Sequence, residues 1–167
     1  MNDSDLIEDR FSIVLIDLDR GNLLEHLFQL SHDFCVADLL FKRELGGDLG
    51  ERLCMLGLDV VELSAKEVAK AALLRRNVKV LSTPVTFAFS VAEAHRWTLL
   101  TKDLALRRLA EQHGVKMHGL LWIIDEFKRE CVVEANLLHR ALTEIHPHPR
   151  YRLPSLDVER TLARLIG

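Results

Sequence analysis

No stretch of this chain is apolar for long enough to cross a bilayer. The longest runs, Phe11 to Ile16 and Leu120 to Ile124, fall far short of the roughly 20 residues that a spanning helix needs. Met1 to Arg10 is acidic rather than basic, so no secretory signal is expected there. Cysteine is scarce: Cys35, Cys54 and Cys131 are all there are. They are odd in number, lie among apolar neighbours and form no C-x-x-C pair. That argues against a disulfide framework or a zinc knuckle and for a reducing cytoplasm. An excess of positive charge is lacking too, with 22 Lys and Arg against 25 Asp and Glu. With a net charge of −3 the whole chain has no attraction for nucleic acid, and any RNA contact must come from a local basic face. Internal repeats and low-complexity tracts are lacking as well.

What is present suits one compact domain over residues 1–167: the chain is 49% hydrophobic, and its length leaves little room for a second core. Short apolar segments alternate with helical periodicity. Phe11 to Ile16 reads as a buried strand, Asp33 to Val36 as a second, and Leu58 to Leu63 or Val78 to Leu81 as a third. Trp97 to Thr101 and Val115 to His118 complete the set. Helices are expected over Leu23 to Leu30, Asp38 to Leu45, Leu120 to Glu130 and Val133 to Ile145. Ser64-Ala-Lys-Glu67 is a capping box that opens another at Ala65. Ser82-Thr-Pro84 marks a further start, and Gly114 a stop for the helix carrying Leu104, Leu106, Leu109 and Ala110. Gly46 to Gly50 reads as the most mobile loop. After the break at His146-Pro-His-Pro149, an arm and a short helix follow from about residue 150, with Leu153, Leu156, Leu162 and Ile166 as its packing face. The alternation implies a parallel α/β sheet.

Three acidic residues stand at informative places. Asp17 ends the first expected strand, Glu44 lies in the helix after the second, and Asp103 follows the strand Trp97 to Thr101. In doubly wound sheets such strand ends converge on ligands. Clustered carboxylates call for a cation, and hard oxygen donors suit Mg²⁺ or Mn²⁺. Taken singly, each has a plainer role: a strand-end Asp often only caps a helix, and Glu44 reads as a solvated helix residue. The aromatic residues Trp97, Trp122, Phe87 and Phe89 lie in apolar periodic segments and read as core.

Together, Ile13-Val-Leu-Ile-Asp17, Ala37-Asp-Leu-Leu-Phe-Lys-Arg-Glu44 and Thr98-Leu-Leu-Thr-Lys-Asp-Leu-Ala-Leu-Arg-Arg-Leu-Ala110 resemble the PIN-domain family, with Gly114 to Trp122 similar to its final strand and helix. The resemblance implies a three-layer α/β/α sandwich with a central parallel sheet and a metal-dependent endoribonuclease. It also implies Mg²⁺ or Mn²⁺ held by Asp17, Glu44 and Asp103, and Thr101 orienting ligands or a water. Many small bacterial members are VapC-type toxins, which suggests an antitoxin protein and a homodimer. One family position departs. Where members carry an Asp near the start of the helix that precedes the strand leading to Asp103, this chain has Val85, which cannot bind metal. Asp19 is the candidate for compensation. Arg20, Lys42, Arg43 and Lys102 flank the acids and are candidates for RNA phosphate contacts. Two alternatives stand beside the nuclease: a PIN-fold RNA- or protein-binding module without turnover, and, from Asp17-Leu-Asp19 after an apolar strand, a phosphatase resembling the haloacid dehalogenases.

Overall fold

In the computed structural model, described for residues 12–101, 103–147 and 154–167, the chain is α/β with short parallel strands. Its elements run α1 (Ser12–Arg20), α2 (Leu24–Leu27), β1 (Cys35–Ala37), α3 (Asp38–Glu44), α4 (Asp48–Leu56), β2 (Asp59–Val61), α5 (Ala65–Asn77), α6 (Thr83–His95), β3 (Leu99–Leu100), α7 (Leu104–His113), β4 (Met117–His118), α8 (Leu120–Arg129), α9 (Ala135–Ile145) and α10 (Ser155–Ile166). They divide into two compact units. One comprises Asp33–Gly119 with the described residues up to Val14, the other Leu15–His32 with Leu120–Gly167. Among the described residues no helix is long and apolar enough to cross a membrane.

The first unit holds all four strands. β1 pairs with β2 in parallel, Val36 opposite Val60, and β3 pairs with β4 in parallel, Leu99 opposite Met117. The expected strands at Asp33, Leu58, Trp97 and Val115 are thus present in shortened form, whereas Val78 to Leu81 is turn and bend. The capping box forms: Ser64 accepts from the Glu67 backbone N–H while the Glu67 carboxylate takes the Ser64 N–H at 2.6 Å. Ser82 caps α6, with Pro84 in the first turn, where its missing N–H costs nothing. Gly114 ends α7 at φ 70, in the left-handed region that favours glycine. Leu81, Val85, Phe89, Leu99, Leu106 and Leu109 pack into one apolar cluster between α6, β3 and α7.

The second unit is helical. α10 packs on α8 and α9, and α2 on α8. Leu27, Ile123, Phe127, Leu138, Leu142 and Val158 are fully buried in it. Gly21 lies in a close approach: a Cβ there would be 2.9 Å from Cδ1 of Ile145 and 3.3 Å from Cβ of Ala141, so the Ile145 tip would have to shift.

Several expectations are corrected. The run expected as a strand from Phe11 to Ile16 is helix from Ser12 on, Phe11 itself lying outside the described residues. Val14, Leu15 and Leu18 are buried, a spacing that one helical face provides, and periodicity cannot distinguish a short apolar run of this kind from a strand. Asp17 is therefore a helix residue and not the end of a strand. Gly46 to Gly50 is only partly a loop, because α4 begins at Asp48 and Gly50 is buried within it. A Cβ on Gly50 would meet the Leu45 carbonyl oxygen at 1.9 Å. Cys54 and Cys131 are exposed rather than apolar in setting. Trp97 is 40% exposed, stacked on His95 with ring centroids 4.5 Å apart, whereas Phe89 is core as expected. The final helix buries Val158, Thr161 and Leu165 and leaves Leu156 and Ile166 exposed. Leu153 lies outside the described residues.

Candidate functional site

β3 delivers Thr101 and Asp103 to the start of α7. Asp103 is the N-cap of that helix: Oδ1 accepts the Ala105 N–H at 2.8 Å and the Leu106 N–H at 3.3 Å. The cap satisfies two donors that a helix start leaves without intrahelical partners, and the negative charge sits favourably at the helix N-terminus. Thr101 is buried, its Oγ1 accepting the Asp103 N–H at 3.1 Å. Its own N–H donates to the His118 carbonyl, which ties it to β4. The plain reading of Asp103 as a helix cap holds, and the hydrogen bonds that make it a cap also fix its carboxylate.

A cavity opens beside it, lined by Asp103, Thr101, Val85, Leu40, Leu99 and Leu106 among others. Val85, on the first turn of α6, is 4% exposed and belongs to the apolar cluster described above. It thus lines the same cavity as Asp103. Leu40 comes from α3. Glu44 is one helical turn further on the same face, and its carboxylate oxygens are shielded from solvent. The cavity wall is thus apolar apart from Thr101 and Asp103.

Asp17 lies in the second unit, on α1, 1% exposed and 3.4 Å from Nη1 of Arg20. Arg20, expected as a phosphate contact, is engaged with that carboxylate. Asp19 is half-buried on the same helix. Lys42 is exposed and pairs with Asp38 one turn away at 3.4 Å, a surface pair of little energetic weight. Arg43 is exposed beside it, and Lys102 lies outside the described residues.

A second acidic group was not anticipated. Glu126 on α8, Glu130 just beyond it and His32 after α2 bring one ligand atom each within 4.8 Å of one another. Arg129 donates from Nε and Nη2 to Glu126 and from Nη2 to Glu130. That guanidinium, followed by the hydrogen bond from His32, pulls the Glu126 carboxyl down to about 2. Hydrogen bonds from Ser31 hold the Glu130 carboxyl below its ordinary range. The signal in the sequence was the helical spacing of Glu126 and Glu130, but nothing local tied His32 to it.

The PIN-domain family profile matches residues 12–166, nearly the whole chain. No curated protein and no solved structure matches it. A match of that extent, over the same segments that position Glu44, Thr101 and Asp103, places the chain in the PIN-domain family.

Proposed function

We propose that the chain is a metal-dependent endoribonuclease, with Glu44 and Asp103 as ligands of Mg²⁺ or Mn²⁺ and Thr101 fixing Asp103. The observation that carries this reading is the PIN-domain match over residues 12–166. The donor set supports it. Both ligands are carboxylates, Thr101 adds a hydroxyl, and Mg²⁺ commonly takes one or two protein carboxylates while keeping several waters. Such an ion, when bound, supplies positive charge that offsets charge building on the phosphoryl oxygens. The chain's own residues do the rest. Two backbone N–H groups and the turn through Thr101 hold Asp103 in one orientation. Glu44, shielded from bulk water, accepts a proton from the attacking water as its oxygen bonds phosphorus, the bond to the leaving sugar oxygen breaks, and that oxygen takes a proton from solvent. Arg43 and Lys42 contact phosphates without reading sequence.

The three-layer α/β/α sandwich, a VapC-type toxin role with an antitoxin partner, a homodimer and a cytoplasmic location belong to the same proposal. Asp17 and Asp19 stay in it as metal ligands on the family pattern alone, and an Asp17→Asn variant that binds Mn²⁺ like the parent removes Asp17 from the set. The phosphatase alternative is dropped: it required Asp17 to follow a strand, and Asp17 is in a helix of a PIN-domain chain. A second reading, a PIN-fold binding module without turnover, is favoured by one observation, the burial of Val85 in the apolar cluster beside Asp103. Incubation with single-stranded and structured RNA, with Mn²⁺ or with a chelator, separates the two. Internal cuts that need Mn²⁺ support the nuclease; binding in both conditions without cuts supports the module.

A further inference from the structure

The group formed by His32, Glu126 and Glu130 plays no part in the proposed nuclease site and lies wholly within the second unit. Glu126 and Glu130 are one helical turn apart, so their carboxylates leave the same face. The Glu130 N–H donates to the Glu126 carbonyl at 2.9 Å, which keeps that turn helical. Oε2 of Glu126 lies 2.8 Å from Nε2 of His32, and Oε1 of Glu130 lies 3.8 Å from the same nitrogen. Each ligand is braced from outside. Ser31 holds Oε2 of Glu130 through both its N–H and its hydroxyl at 2.7 Å, which turns Oε1 toward His32. The His32 ring lies against Trp122, centroids 5.3 Å apart. Both carboxylates are largely withdrawn from solvent.

A cation already sits where these atoms face one another. Nη2 of Arg129 is 2.5 Å from Oε2 of Glu126 and 2.8 Å from Oε1 of Glu130. The Arg129 side chain is nevertheless 61% exposed, so it can withdraw into water at little cost in solvation. With a neutral imidazole, two carboxylates facing one guanidinium leave a net charge of −1; a divalent ion in place of the guanidinium leaves none.

We propose that His32, Glu126 and Glu130 form a three-ligand site for a divalent transition ion of the zinc class, with Arg129 as its resident competitor. One imidazole and two carboxylates are donors that Zn²⁺ accepts, and three protein ligands leave a fourth position for water. Mg²⁺ is disfavoured by the nitrogen donor, so this site and the nuclease site prefer different ions. Arg129 keeps the carboxylates paired when no ion is bound and lowers affinity for the ion by the same contacts.

The test is a Zn²⁺ titration of the metal-stripped full chain against a chromogenic chelator. Asp103→Asn, which disables the proposed nuclease site, should still bind one equivalent, and the further variants are compared in that background. His32→Ala should weaken binding at least about tenfold, and Arg129→Gln should tighten it several-fold. Because His32→Ala also removes a contact with Trp122, Zn²⁺ is added in parallel to the parent and the His32 ring resonances are followed by NMR; they should shift with the first equivalent. Absence of Zn²⁺ binding, binding unchanged in His32→Ala, unmoved His32 resonances, or weaker binding in Arg129→Gln would each overturn the proposal.

Discussion

The two acidic groups of this protein are held by opposite means. Asp103 is fixed by backbone N–H groups at a helix start and faces an apolar cavity wall. Glu126 and Glu130 are fixed chiefly by side chains, the Arg129 guanidinium and the Ser31 hydroxyl, with one backbone N–H from Ser31 on Glu130. Backbone donors are neutral dipoles that orient a carboxylate while leaving its charge uncompensated. A guanidinium brings a full countercharge and satisfies the carboxylate outright. Burial alone therefore says little about which acid does chemistry; what holds the acid says more.

The largest effect is expected where a charge is added to the apolar wall. Val85→Asp puts a carboxylate into the cluster with Phe89 and Leu106, beside Asp103. Without metal the variant should lose about 3 kcal/mol, the scale of an uncompensated buried charge, seen as a thermal midpoint lower by roughly 10 °C. Ser82 would still cap the turn, but the cost lies in burial and not in the cap. Mn²⁺ should bind at least about tenfold more tightly than to the parent, which is about 1.4 kcal/mol, and should restore part of the lost midpoint. A midpoint that ignores Mn²⁺ would show that position 85 does not face an ion.

A smaller effect is expected on acidification, and it belongs to the other group. The Glu126 carboxyl is lowered in the folded chain to about 2, first by its hydrogen bonds to Arg129. Its contribution to stability is therefore complete above the ordinary carboxylate range and is lost as pH falls toward 2. Arg129→Gln should flatten that part of the stability curve. Equal acid sensitivity in parent and variant, measured by denaturant unfolding between pH 5 and pH 2.5, would show that the guanidinium does not hold Glu126.

The smallest change in stability is expected at Asp103 itself. Asn caps a helix nearly as well as Asp, and only the charge at the helix N-terminus is lost, about 0.3–1 kcal/mol. Circular dichroism of Asp103→Asn should show a midpoint within a few degrees of the parent, while Mn²⁺ binding falls at least about tenfold. A large loss of stability would mean that Asp103 is chiefly structural.

Elements fixed by local chemistry were legible in the sequence. Ser64 with Glu67, Ser82 with Pro84 and Gly114 each mark a helix end through hydrogen bonds within four residues. The strand ending before Asp103 and its partner at Met117 were legible for a similar reason, being short apolar runs between strong helix signals. The run from Ser12 was not, because Val14, Leu15 and Leu18 satisfy a helical face as well as the apolar content of a strand. Gly50 was misleading: glycine suggests a loop, but here it serves the close approach of α4 to the Leu45 carbonyl. For the candidate site, the family resemblance singled out Asp103, Thr101 and Val85, and the three line one cavity. The grouping of His32 with Glu126 was invisible, since the partners are far apart in sequence and share no motif.

The central claim, that the backbone-held acid is the one that works, is tested most directly by RNA cleavage in Mn²⁺ with the parent and Asp103→Asn prepared identically. The parent should cut RNA internally, a chelator should stop it, and Asp103→Asn should be slower by about 100-fold or more, the loss expected when a group positioned at the reacting phosphate is removed. A toxin role adds that expression of the parent, and not of the variant, arrests growth. Equal cleavage by the two preparations would contradict the account, since the cut would then owe nothing to the carboxylate at the start of α7.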